Sequence, residues 1–269
     1  ELLKPLGKFA HKGTQGHSML IGGSIGKIGS VCLASKAALK TGCGLVTAFV
    51  PKCGTPVLQA AFPEAMVIED RNDTYITGID FTIHPDAIGA GVGLGELPET
   101  QHAFYRFLQQ NKASLVIDAD GLNILSKNKE WLTLLPPETI LTPHPKELFR
   151  LIGEWREDYD KIRKTIAFAK QHRLIIVLKG AHSMIIDPEN VYVNSTGTPA
   201  LATAGSGDVL TGIITGLLAQ GYKPLEAAKV GVFIHGLTAN LSATRIHARS
   251  FLASDIIDNI GNAYFEIEK

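Results

Sequence analysis

The chain has 269 residues, 45% of them hydrophobic, and 26 Lys+Arg balance 26 Asp+Glu for a formal net charge of zero. That length buries a substantial core in one large domain or two small ones. The balanced charge, with no Lys/Arg block, leaves no electrostatic case for nucleic acid or an acidic membrane as partner.

In chain order, apolar runs of strand length alternate with segments of helical period. GSVCLASKAALKTG (29–42) sets Val31, Ala34 and Ala38 on one helical face and ends at Gly42. GLVTAFV (44–50) and AIGAGVG (87–93) read as buried strands, and ETQHAFYRFLQQ (99–110) as a helix with an apolar stripe and a charged face. SLVIDAD (114–120) and TILTP (139–143) are the next strands, followed by a helix from Pro145. DYDKIRKTIAFAKQH (158–172) is a further helix, LIIVLKG (174–180) a strand and MIIDPENVYVN (184–194) a hairpin. From Ser206 onward the chain reads as mostly helical. The strands stop at Gly, Pro or Asp. This alternation implies an α/β fold with a mainly parallel sheet and helices on both faces. Ligands of such sheets bind beyond the carboxyl ends of the strands.

Cys32, Cys43 and Cys53 are odd in number and lack CxxC spacing, which predicts no disulfide framework or zinc knuckle and a reducing, cytoplasmic setting. The apolar run VLTGIITGLLA is too short to span a bilayer, and no signal-peptide pattern is visible. IGGSIGKIGS (21–30) is not a P-loop: Ile21 stands where the first glycine belongs and Ile28 where a hydroxyl must follow Lys27. GAGVGL and GSGDVL each lack the third glycine of GxGxxG, at Leu94 and Leu210.

Four loops carry chemistry. In TPALATAGSGDVLTGIITGLL a helix starting near Ser206 turns free N–H groups toward the preceding loop, as an anion site requires. Gly205 and Gly207 remove side chains that would block approach, and Asp208 falls in the first turn. Asp208 either complements the helix dipole or accepts a proton from a hydroxyl that attacks phosphorus. A carboxylate so placed is a weak base, so its contribution is expected from position rather than raised basicity. In LTPHPKELFRL (141–151), Glu147 falls in the first turn of a helix and His144 at the turn facing the strand-end cleft; no HxxxH or HExxH motif accompanies that histidine. In VLKGAHS (177–183), Lys179 closes a strand and reaches either a phosphate or solvent. In VIDADGLNIL (116–125), Asp118, Asp120 and Asn123 either bind substrate or water-bridged Mg²⁺, or cap the next helix.

The ordered set HKGTQGHSMLIGGS, ASKAALKTGCGLVT, GAGVGLG, VIDADGLNIL, LTPHPKELFRL, VLKGAHS and NSTGTPALATAGSGDVLTGIITGLLAQG resembles the ADP/ATP-dependent NAD(P)H-hydrate dehydratases. These are the carbohydrate-kinase-like domain of the YjeF family, in the ribokinase-like superfamily, and the resemblance runs from roughly Leu6 to Ala243. It implies a ribokinase-like three-layer α/β/α sandwich formed by residues 1–269 as one domain. A start at Glu1 fits excision from a fusion with an epimerase domain. The implied activity is dehydration of (S)-NAD(P)H hydrate, with ADP or ATP as phosphoryl donor and Mg²⁺ as cofactor, in a cytoplasmic homotetramer without nucleic-acid or membrane partners.

By the same resemblance, Asp208 is the base and contacts the hydrate. His144, Pro145, Lys146, Glu147, Leu148, Phe149 and Arg150, with Gly95 and Ala38, line the hydrate pocket. Lys179, Gly180, Ala181, His182 and Ser183 contact the nucleotide. So do Thr198, Pro199, Ala200, Leu201, Ala202, Thr203, Ala204, Gly205, Ser206 and Gly207. Glu147 and Asp118 approach Mg²⁺ through water. One departure is Thr238-Ala239-Asn240, where the family usually reads HGxAGD. Two other readings stay open: a vitamin-precursor kinase of the same superfamily, and an inactive nucleotide-binding regulator.

Overall fold

Along β1 (His17–Ile21), Met19 and Ile21 face one core and Leu20 faces another. The same two-residue alternation sends Phe49 of β2 (Leu45–Val50) to one side and Ala48 and Val50 to the other. A sheet buried on both faces must carry helices on both, and it does. The computed structural model describes residues 3–5 and 7–269; Glu1 and Leu6, where the expected domain and the family resemblance begin, lie outside the described residues, as does Leu2.

After β1 the chain forms α1 (Ile28–Lys40), β2, α2 (Gly54–Ala61), β3 (Met66–Glu69), β4 (Ala87–Ala90) and α3 (Pro98–Gln110). It continues through β5 (Ser114–Ile117), α4 (Asp120–Lys127), β6 (Ile140–Leu141), α5 (Pro145–Ile152), α6 (Asp158–His172) and β7 (Ile175–Leu178). The hairpin β8 (Met184–Ile186) and β9 (Val191–Val193) precedes α7 (Ser206–Ala219), α8 (Pro224–Ser242), α9 (Ala253–Asp258) and α10 (Ile260–Ile267). The sheet order is β3-β2-β1-β4-β5-β6-β7-β8-β9, parallel through β7 and antiparallel across the hairpin. Residues of α1, α7, α8, α9 and α10 fill one core, and those of α3, α4, α5 and α6 the other. The expected three layers are therefore present.

The expected strands and the 184–194 hairpin all form. The sequence reading missed β1, whose MLI run is only three apolar residues, and edge strand β3, where no residue is fully buried. It also missed α2, which buries only Gly54 and Leu58.

Helix α7 explains its own glycines. Every residue from Val209 to Ala219 is buried, so α7 is a core helix with no polar face. A Cβ on Gly212 would lie 2.1 Å from the Ala34 carbonyl oxygen, and one on Gly216 would lie 2.6 Å from that of Ala38. Each glycine costs a helix interior about 1 kcal/mol relative to alanine. Here they let α7 lie directly on the backbone of α1, which fixes where α7 begins.

Candidate active site

Strand order reverses between β1 and β4, and the crevice of an open α/β sheet lies outside the strand ends at such a switch. The loops there are tied together. Gly23 N–H donates to the Val92 carbonyl at 2.9 Å, and Ser24 Oγ donates to the Gly93 carbonyl at 2.9 Å. Gly95 N–H donates to Asp120 Oδ2 at 2.8 Å, with Lys27 Nζ 3.4 Å from the same oxygen.

The start of α7 points into this crevice. Thr198 Oγ1 accepts from Ala200 N–H and starts a short turn over Pro199–Leu201. Gly205 then takes φ +85°, the left-handed region, and the helix starts at Ser206. The N–H groups of the first turn have no partner inside the helix, so this end offers donors and partial positive charge to an anion.

Lys179, at the end of β7, reaches the same point. Its Nζ is 2.7 Å from Asp118 Oδ1 and 3.9 Å from Glu147 Oε2, and a Cβ on Gly207 would lie 3.4 Å from it. Desolvation works against its charge, but Asp118 and Glu147 outweigh that and hold its pKa above the ordinary lysine value. Lys179 is therefore a fixed cation beside the anion loop. Asp118 also accepts from Thr211 Oγ1 at 2.8 Å on Oδ2 and from Ala119 N–H at 2.8 Å on Oδ1. The capping alternative for Asp118 and Asp120 does not hold: the N-cap of α4 is Ala119, at φ +49°, and no side chain caps it. Asp118 instead binds Lys179, Asp120 binds Gly95, and Asn123 Oδ1 accepts from Arg150 at 2.7 Å.

Asp208 lies half-buried in the first turn of α7. Burial pushes its pKa up to about 6; the Ser30 hydroxyl and Lys179 oppose this, while Asp118 and Asp120 add to it. This corrects the expectation of a weak base acting by position alone, because desolvation outweighs the stabilisation a helix start gives a carboxylate. Ser30, in the first turn of α1, was not singled out from the sequence; its signal is its place directly after the glycine-rich segment 21–29.

At α5, His144 is the N-cap. Its Nδ1 accepts from Lys146 N–H at 3.1 Å, and Glu147 Oε2 accepts from His144 N–H at 2.8 Å, forming a capping box. Burial lowers the His144 pKa, with Lys179 adding to the effect, so the ring is neutral. Burial raises the Glu147 pKa, opposed by Lys179 and the His144 amide. Lys146 and Phe149 are exposed beside it, Phe149 edge-on to Trp155 with ring centroids 5.8 Å apart.

Several expected contact residues are not brought to the crevice. Ala38 is fully buried against α7, and Leu148 is fully buried in the core under α5, so neither presents surface to a substrate. Ala200 is buried in the other core. The Ser206 hydroxyl faces His235 rather than the crevice, and its N–H donates to the Thr203 carbonyl at 3.3 Å. Gly180, Ala181 and His182 are exposed on the turn after β7, while Ala202 and Ala204 are exposed on the loop before α7. Cavities of about 420 Å³ beside β9 and α8 and about 740 Å³ under the amino ends of β4 and β5 are lined by none of these crevice residues.

Residues 18–262 match the NAD(P)H-hydrate dehydratase family. The chain is 38% identical over 259 residues to the bifunctional NAD(P)H-hydrate repair enzyme of Moorella thermoacetica, covering 92% of this chain and 49% of that one. It is 38% identical over 247 residues to the ADP-dependent (S)-NAD(P)H-hydrate dehydratase of Neisseria meningitidis, covering 89% and 81%. The chain spans about half the length of the bifunctional relatives it matches. Among solved structures, the ADP/ATP-dependent NAD(P)H-hydrate dehydratase of Bacillus subtilis, co-crystallised with ATP and Mg²⁺, superposes with a TM-score of 0.81 at 28% identity, covering 98% of this chain and 94% of that one. The architecture is the ribokinase-like one that the motifs implied.

Proposed function

The chain belongs to the NAD(P)H-hydrate dehydratase family, and from that premise we propose that it returns (S)-NAD(P)H hydrate to NAD(P)H, using ADP and giving AMP and phosphate. The observation that carries this reading is a single one: Asp208, with its pKa near 6, sits in the first turn of the helix whose start forms an anion site beside Lys179.

Hydroxide is a poor leaving group, and phosphorylation makes the ring hydroxyl a good one. Asp208 accepts the hydroxyl proton as the oxygen attacks the terminal phosphorus of the nucleotide. The amides of Ala204, Gly205 and Gly207 and the Lys179 ammonium stabilise charge on the phosphoryl oxygens. The ring nitrogen then expels phosphate, and loss of a proton from the neighbouring carbon restores the double bond.

A Mg²⁺ ion arriving with the nucleotide would offset phosphate charge. Among the described residues no group of three His, Cys, Asp or Glu is placed to hold a metal. Both Asp118 oxygens already accept protein hydrogen bonds, and Glu147 Oε2 accepts from His144 N–H. Glu147 and Asp118 would therefore hold such an ion through water rather than by direct ligation.

We assign residues 1–269 to one such domain, expect a homotetramer, and place it in the cytoplasm, where three free thiols are stable. No helix of the described residues is long and apolar enough to cross a membrane. The deciding experiment is turnover of purified hydrate with Mg²⁺ and ADP, ATP or no nucleotide. Recovery of NADH absorbance with stoichiometric free phosphate supports the dehydratase. A stable phosphoester favours a kinase, and nucleotide binding without turnover favours a regulator.

A further inference from the structure

Helix α8 holds both ends of the segment that leads into α7. At its start, Thr196 Oγ1 donates to the Phe233 carbonyl at 2.9 Å and Gly197 N–H donates to Asn240 Oδ1 at 2.6 Å. At its end, His235 Nε2 lies 3.0 Å from the Ser206 carbonyl oxygen and 3.2 Å from Ser206 Oγ. A carbonyl only accepts, so Nε2 carries the proton. Burial holds the His235 pKa down at about 4, and the ring is neutral at pH 7.

A trans peptide is planar, so its C=O and N–H point in opposite directions. Binding the Ser206 carbonyl to α8 therefore turns the Gly207 N–H away from α8. Gly207 is the residue against which Lys179 Nζ and Asp118 Oδ2 stand, at 3.4 and 3.6 Å from the position of a Cβ.

We propose that His235 is a positioning residue for phosphoryl transfer: it fixes the Ser206–Gly207 peptide so that the Gly207 amide faces the phosphate. It acts through the backbone and does not touch substrate. The inference rests on the nucleotide reading above.

The test compares wild type, His235→Leu and His235→Gln by calorimetric titration with ADP in Mg²⁺ buffer, by steady-state kinetics and by near-ultraviolet circular dichroism. Losing one oriented donor to a charged phosphate weakens binding about tenfold or more. The Leu variant is expected to show that loss in ADP affinity, with KM for ADP raised and KM for the hydrate unchanged. The Gln variant, whose amide N–H can replace the imidazole donor, is expected to recover most of it. A folded Leu variant that binds ADP within twofold of wild type overturns the inference alone, as does a Gln variant no better than Leu. If the Leu variant does not fold, the Gly207 amide proton is followed by NMR during ADP titration of wild type and the Gln variant. A downfield shift in both supports the inference, and a wild-type resonance that stays fixed while ADP binds overturns it. A wild type that binds no ADP overturns the nucleotide reading and this inference with it.

Discussion

Lys179 Nζ stands 2.7 Å from Asp118 Oδ1 and so joins the ends of β7 and β5 beneath the first turn of α7. The carboxylate is almost fully buried and the lysine one-fifth exposed. The pair presents a cation to the anion loop without leaving Asp118 uncompensated.

Removing that cation tests the pairing. Lys179→Met leaves the Asp118 carboxylate buried without its counter-charge, and breaking such a pair costs about 3 kcal/mol. Urea denaturation of the variant is expected to show a loss of that order. ADP affinity should fall as well, whereas a midpoint shift below about 0.5 kcal/mol would mean that solvent already screens the pair.

Asp208→Asn is expected to lower turnover by a factor of about 10²–10⁴ while leaving ADP affinity largely intact. The folded-state pKa of Asp208 lies near 6, above its ordinary 3.8, so ionising it works against folding as pH rises through that window. The neutral amide should therefore stabilise the protein at pH 7, by roughly 1–3 kcal/mol. Calorimetry and an NADH-recovery assay read the two effects separately; near-normal turnover would remove Asp208 as the base.

The same group sets a pH limb. Turnover needs Asp208 ionised, so kcat/KM is expected to fall below about pH 6 with a slope of one. A rate profile flat down to pH 5, measured with ADP saturating, would contradict the burial-driven shift.

Gly212→Ala raises helix propensity by about 1 kcal/mol and should still destabilise the protein. Its methyl would lie 2.1 Å from the Ala34 carbonyl oxygen, and a backbone atom cannot rotate away. Forcing α1 off α7 is expected to cost a net ~1–3 kcal/mol and to displace the start of α7. Thermal unfolding with an ADP titration checks both.

Asn240, at the one departure from the motifs the sequence resembles, accepts from Gly197 N–H on its Oδ1 at 2.6 Å. Asn240→Asp keeps an acceptor and is expected to change stability by less than about 0.5 kcal/mol. Asn240→Ala leaves the amide without it and should cost about 1 kcal/mol. Equal denaturation midpoints for the two variants would show that the bond carries no weight.

What the sequence determined by itself is what depends on neighbours a few residues apart. The AGSGD order announces an open glycine loop, a helix start and an acid in its first turn; TPHPKE announces a turn and a helix start with an acid in its first turn; apolar runs stopped by Gly, Pro or Asp announce buried strands. These are set by backbone sterics and helix-end hydrogen bonding, which act over one turn. The motif order carried the fold class as well.

Only tertiary structure decided which side of each element faces the crevice. Ala38 and Leu148 lie within motifs of the site, yet packing buries them completely, and Ala200 turns into the core. Ser30 enters the site because α1 lies against α7, and Lys179 meets Asp118 across 61 residues. The basicity of Asp208 is decided the same way. A pKa near 6 arises from desolvation, with the charges of Asp118 and Asp120 adding to it against the opposing Ser30 hydroxyl and Lys179. Burial and through-space charge belong to the packed chain, since they arise only when distant segments exclude water from a common volume.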